Sequence, residues 1–147
     1  PSFHLAPDRF RACASATAAA RPAPPDWVWL AVKTTGLDAV LPDLAAVAGP
    51  RTRIAVLCNG LGVEDRLAER FGAARVFGCL CFVCLNRRDD GSVDHLGHGQ
   101  VGIGALDPRS GLDELAALCA MGGLAHVRYR SLTEARWRKL AWNIPFN

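Results

Sequence analysis

The chain has 147 residues, of which 50% are hydrophobic and 21% charged, the balance of a globular domain with a real core and not of a disordered segment. Its 17 basic and 14 acidic side chains leave a formal charge of +3, too small and too evenly spread to make nucleic acid the expected partner. The longest apolar runs, 27–32 and 76–85, are far shorter than the ~20 residues a bilayer span needs, so no membrane association is expected.

The amino terminus, Pro-Ser-Phe-His, lacks a basic-then-apolar signal pattern, which places the protein in the cytoplasm. The 6 cysteines fit that setting, because most sit inside apolar runs where cysteine behaves as a small hydrophobe. The only methionine is Met121, and a helical pattern is still running at Asn147, so the chain is expected to be a fragment of a longer protein.

Residues 1–25 read as irregular, with an Ala/Pro-rich, solvent-facing connection at 14–25. Residues 27–32 form a continuous apolar run, the pattern of a strand buried on both faces. A helix is predicted over 37–48, with Asp38 as candidate cap and Pro42 tolerated near the first turn. A second buried strand over 53–58 ends at Asn59-Gly60. A charged amphipathic helix comes next at 63–70, and then a third long apolar strand at 75–85.

From there the alternation changes. A turn at 86–91 leads into two short strands, 92–96 and 100–106, which make an antiparallel hairpin with what precedes them. After a turn at 107–111 come a helix over 112–121, stopped by Gly122-Gly123, and a last strand over 124–129. Ser131-Leu-Thr-Glu134 is a capping-box signature that opens a final helix. The fold class expected from this alternation is α/β, with a mainly parallel, partial Rossmann-like sheet covered by helices. No internal repeat is present.

Two motifs invite over-reading. Gly97-His-Gly99-Gln-Val-Gly102 matches G-x-G-x-x-G by letter, but residues 103–108 after it read as strand and turn. A phosphate loop needs a helix opening there, so the match is a coincidence. Cys79, Cys81 and Cys84 lie along one predicted strand, with Cys84 on the opposite face from the other two. That is not the convergent loop geometry of a thiolate metal site, and no metal is expected.

Two other features point to a cleft. Lys33 and Asn59 stand at the ends of two neighbouring strands, and open parallel sheets bind ligands beyond their strands' carboxyl ends. In the final helix Lys139, Asn143 and Asn147 are spaced i, i+4, i+8 and fall within one ~80° arc. Trp137, Leu140, Trp142, Ile144 and Phe146 make the rest of that helix apolar, so it is expected to be buried. A buried lysine with two amides then needs polar partners, which an anionic substrate would supply. Pro145 removes one helical hydrogen bond and is expected to kink the helix between the two asparagines.

Taken together, Val28-Trp-Leu-Ala-Val-Lys33, Leu57-Cys-Asn59-Gly60-Leu-Gly62 and Arg136-Trp-Arg-Lys139-Leu-Ala-Trp-Asn143-Ile-Pro-Phe-Asn147 resemble the 2-dehydropantoate 2-reductase (ketopantoate reductase) family. Asp94-His95-Leu96 and Gly102-Ile-Gly104 resemble the family's hairpin, so the likeness runs from about residue 26 to residue 147. The resemblance implies the back half of an NADP-binding Rossmann-like domain over 1–130 and the start of an all-helical substrate domain over 131–147. It implies reduction of a small 2-oxo acid by NADP(H), in pantothenate and coenzyme A biosynthesis.

By the same resemblance Lys139 is the general acid, Asn59, Asn143 and Asn147 bind substrate, and Lys33, Asn59 and Cys84 contact the cofactor. The family's glycine-rich loop and most of its helical domain have no counterpart in the 147 residues, so the fragment alone is expected to turn over poorly. A truncated sheet with a naked edge is expected to pair with itself, giving a homo-oligomer. The competing readings are a non-catalytic nucleotide- or partner-binding module and, last, a metal protein built on the cysteine strand.

Overall fold

The computed structural model describes residues 11–19 and 23–146. Five strands form one sheet in the order of the chain: β1 (Trp27–Leu30), β2 (Arg53–Val56), β3 (Val76–Arg87), β4 (Val93–Ala105) and β5 (Ala125–Arg128). β1–β2, β2–β3 and β4–β5 pair in parallel, and β3–β4 is the antiparallel hairpin. The helices are α1 (Ala16–Ala19), α2 (Leu37–Val47), α3 (Val63–Phe71), α4 (Asp113–Met121) and α5 (Leu132–Phe146). The mainly parallel α/β architecture expected from the sequence is the one observed.

Side-chain alternation along the strands divides the core between two faces. On one face Ile54, Val56 and Val76 pack with Leu37 and Leu44 of α2 and with Val63, Leu67 and Phe71 of α3. On the other, Ala55, Phe77, Cys79 and Ile103 meet Leu115, Ala116 and Cys119 of α4. Each fully buried aliphatic side chain contributes about 1.5–3 kcal/mol, so these layers hold the fold together. α5 returns to the first face, where Leu132 and Ala135 pack on Leu80. Gly78 and Gly104 make that approach possible: a Cβ at Gly78 would run into Leu132 Cδ1, and one at Gly104 would sit 3.2 Å from Leu132 Cβ.

Several local expectations are corrected. β1 is an edge strand whose Trp29 is 42% exposed, so it is not buried on both faces. Asp38 does not cap α2: Gly36 holds the cap position after a 3-10 turn over Thr34–Gly36, and Asp38 pairs with Arg66. Pro42 lies inside α2 beyond its first turn. The connection expected to be irregular contains the single helical turn α1.

The two short strands 92–96 and 100–106 are one strand, β4, bent at His98 (φ 65°) and Gly99 (φ 116°), where the β3–β4 register shifts. Gly97 to Gly102 therefore lies inside a strand, with no helix opening from it. The outer half of β3 is exposed from Val83 onward, because the hairpin extends past the helices that cover the inner half. Asn86 and Arg87 belong to it, and the turn proper begins at Arg88.

The largest correction concerns α5. Trp137, Trp142 and Ile144 are 58%, 64% and 72% exposed, whereas Arg136 and Lys139 are buried at 4% and 8%. The helix is turned with its charged stripe inward. Its opening matches the capping box in one half: Ser131 Oγ accepts the Glu134 N–H at 3.2 Å, while the Glu134 carboxylate pairs with Arg138. Pro145 is the penultimate residue of α5; Asn147, and with it the proposed kink between the asparagines, lies outside the described residues. Among the described residues no helix is long and apolar enough to cross a membrane.

Candidate functional site

The parallel strands β1, β2 and β3 end in step: Leu30 pairs with Val56, and Val56 with Gly78. Three residues further along each chain stand Lys33, Asn59 and Cys81, so the topology gathers them at one edge of the sheet. Lys33 and Asn59 are exposed and line a common cavity of about 400 Å³ with Val32, Thr34 and Leu57. Thr34 Oγ1 donates to the Asn59 carbonyl at 2.8 Å and ties the two strand exits together.

α5 closes this edge. Its buried stripe (Leu132, Ala135, Arg136, Lys139) continues into half-buried Asn143, and Asn59, Gly60, Arg136, Lys139, Leu140 and Asn143 line one narrow cleft. Lys139 Nζ donates to the Cys81 carbonyl at 2.6 Å and lies 5.2 Å from the centre of the Phe82 ring. Burial holds the Lys139 pKa below the ordinary lysine value; the nearby Cys81 thiol opposes that shift and Arg136 adds to it. A lysine so placed gives up its proton more readily than a surface lysine.

Of the residues singled out in the sequence, Lys139, Asn59 and Asn143 are thus brought together, with Lys33 in the adjoining cavity. Cys84 lines neither space: it is exposed on the hairpin, three residues past Cys81 and beyond the carboxyl ends of β1 and β2. Asn147 lies outside the described residues. Cys79 packs against Phe77, Ile103 and Cys119, and burial above all, with Cys119 and Cys81 adding to it, pushes its thiol up to about 12. It stays protonated and behaves as core. Among the described residues no three His, Cys, Asp or Glu side chains converge as a metal would require.

Sequence reasoning missed Arg136 and Glu64. Arg136 Nε donates to Glu64 Oε1 at 2.8 Å, Nη1 to the Cys58 carbonyl at 2.8 Å and Nη2 to the Val56 carbonyl at 3.2 Å. Both side chains are 4% exposed. A signal was available: Glu64, Leu67 and Phe71 are spaced i, i+3, i+7, so a carboxylate occupies the apolar stripe of α3.

The family model for ketopantoate reductase PanE/ApbA matches residues 4–108. The chain is 33% identical over 132 residues to the 2-dehydropantoate 2-reductase of Nostoc sp., covering 83% of this chain and 40% of that protein. It is 32% identical over 122 residues to the one from Caulobacter vibrioides, covering 82% and 41%. The chain thus spans about two fifths of the curated relatives it matches. Among solved structures, the 2-dehydropantoate 2-reductase of Geobacter metallireducens superposes with a TM-score of 0.79 at 39% identity, over 84% of this chain and 42% of that one. The Methylococcus capsulatus enzyme gives 0.75 at 27% identity, over 90% and 43%. The matched family model and these relatives agree with the fold described above, and the chain belongs to the ketopantoate reductase PanE/ApbA family.

Proposed function

We propose that this chain supplies the cofactor-facing edge and the proton donor of an NADPH-dependent 2-oxo acid reductase, converting 2-dehydropantoate to pantoate. The observation that carries the reading is the cleft in which buried Lys139 faces Asn59 and Asn143 at the carboxyl ends of the parallel strands. The names of the relatives support the substrate.

The residues present fit part of a dinucleotide. Lys33 offers a cation and Asn59 an amide at the mouth of an open cavity, where parallel sheets take such ligands. Cys84 is assigned to the same cofactor through its backbone, which stands beyond the same sheet edge. The nicotinamide supplies hydride; the protein supplies orientation and charge.

Lys139 protonates the substrate's carbonyl oxygen and stabilises the charge that develops there. Its tether to the Cys81 carbonyl occupies one of three ammonium hydrogens and leaves the others to turn toward the cleft. Asn59 and Asn143, with Asn147, hold the polar groups of the 2-oxo acid. In this reading residues 1–130 belong to the nucleotide-binding domain and 131–147 begin the helical substrate domain. Self-association through the open edge of β1 belongs to the same proposal.

The test is NADPH consumption by the full-length protein with a panel of 2-oxo acids. The reading expects 2-dehydropantoate to be preferred; no consumption with any of them contradicts it.

A further inference from the structure

Arg136 of α5 grips the edge of the sheet at several points. It reaches the carbonyls of Val56 and Cys58, on the last stretch of chain before Asn59, and it pairs with Glu64 of α3. One helical turn later comes Lys139, whose own tether is to β3. Arg136 lines the same cleft as Asn59 and Lys139 and ties it to the chain just before Asn59.

A buried ion pair is a poor choice for stability alone, since apolar residues of the same volume often hold a core as well or better. What the fork adds is direction: five donors in a rigid plane fix two backbone carbonyls and one carboxylate at once. We infer that the Arg136–Glu64 pair is a positioning device for the site, latching α5 to the exit of β2 so that Lys139 and Asn59 face each other across the cleft. The inference deepens the reductase reading and rests on it for its functional meaning; its geometry does not depend on catalysis.

The sequence offers a clean probe, because Lys33 and Lys139 are its only lysines. Lys33 is exposed and Lys139 buried, so each pH point carries its own reference. The groups facing Lys139 are Arg136 on its own helix and the Cys81 thiol and carbonyl on β3; Glu64 on α3 holds Arg136. In the 147-residue chain, acetic anhydride labelling is followed by mass spectrometry across the neutral-to-alkaline range, with Lys139 expected to react about tenfold more slowly than Lys33.

Two variants test the latch. Arg136→Gln keeps part of the hydrogen bonding, loses the fork and leaves Lys33 and Lys139 as the only lysines. Arg136→Met with Glu64→Leu replaces the pair by an apolar one. In whichever variant still melts cooperatively, Lys139 should lose its protection to within about threefold of Lys33. Its titration midpoint should also move up toward the ordinary lysine value. A folded variant that keeps both protection and midpoint overturns the inference. So does loss of folding in both variants, which would make the pair a fastener and nothing more. If Lys139→Ala leaves NADPH oxidation intact in the full-length protein, the reductase reading fails while the labelling result stands by itself.

Discussion

Lys139 on α5 hands one of its ammonium hydrogens to the backbone carbonyl of Cys81 on β3, 2.6 Å away, across the open end of the sheet. The two residues are far apart in sequence and meet because β3 runs on past its neighbours while α5 folds back over them. The contact places a buried cation on the cleft that Asn59 and Asn143 also line.

That burial has a pH signature. The folded state holds the Lys139 proton less tightly than the unfolded chain, since burial lowers its pKa. The resulting stabilisation is present above the unfolded value and is lost as pH falls through the lowered one. The stability of the parent relative to Lys139→Met should therefore rise with pH inside that window, by up to about 1.4 kcal/mol per pH unit. Denaturant melts of both proteins at neutral and alkaline pH check this. A gap that does not change with pH contradicts it.

Gly78 is where α5 seats on the sheet. A Cβ there would collide with Leu132 Cδ1 and stand 3.0 Å from Glu64 Oε1. Gly78→Ala is expected to cost about 1–3 kcal/mol through overpacking. Combining it with Leu132→Ala should cost less than the two single losses added together, because the second substitution removes the atom the first one strikes. Strict additivity in chemical melts would show that the clash is relieved elsewhere.

The Arg136–Glu64 pair gives opposite results for one removal and for two. Arg136→Met alone leaves a buried carboxylate unpaired and should cost about 3–5 kcal/mol. Adding Glu64→Leu should recover most of that loss, since the uncompensated charge disappears. Urea titrations of the parent, the single and the double variant decide it; a double variant no better than the single one would speak against a paired-charge origin.

Thr34 connects the loops that carry Lys33 and Asn59 through its hydroxyl. Thr34→Val should cost about 1 kcal/mol for the lost hydrogen bond. In the full-length protein it should raise the KM for NADPH more than it lowers kcat, because it loosens groups assigned to cofactor contact. Equal loss in kcat and kcat/KM would move Thr34 to the chemical step.

Much of this molecule was legible in its sequence because local pattern and tertiary role coincide. Runs of β-branched and apolar residues at 53–58 and 75–85 contain most of the central strands β2 and β3, and Lys33 and Asn59 stand three residues past the ends of β1 and β2. The i, i+4 spacing of Lys139 and Asn143 put both on one cleft. The orientation of α5 was not legible, because composition favoured burying its tryptophans while the fold buries Arg136 and Lys139 instead. Only a partner on another element, Glu64 or the Cys81 carbonyl, makes that arrangement affordable, and such partners are set by topology. The hairpin failed for a related reason: His98 and Gly99 look like a break, yet the β3 ladder carries β4 through them as a bulge.

The central claim is that Lys139 donates the proton in a hydride-transfer reduction. The most direct measurement is steady-state NADPH oxidation with 2-dehydropantoate by the full-length protein and its Lys139→Ala variant, over a range of pH. The account predicts turnover in the parent and a kcat lowered by about 10²–10⁴-fold in the variant, with the parent's alkaline limb set by a group titrating below ordinary lysine. A variant that turns over at the parental rate would contradict it.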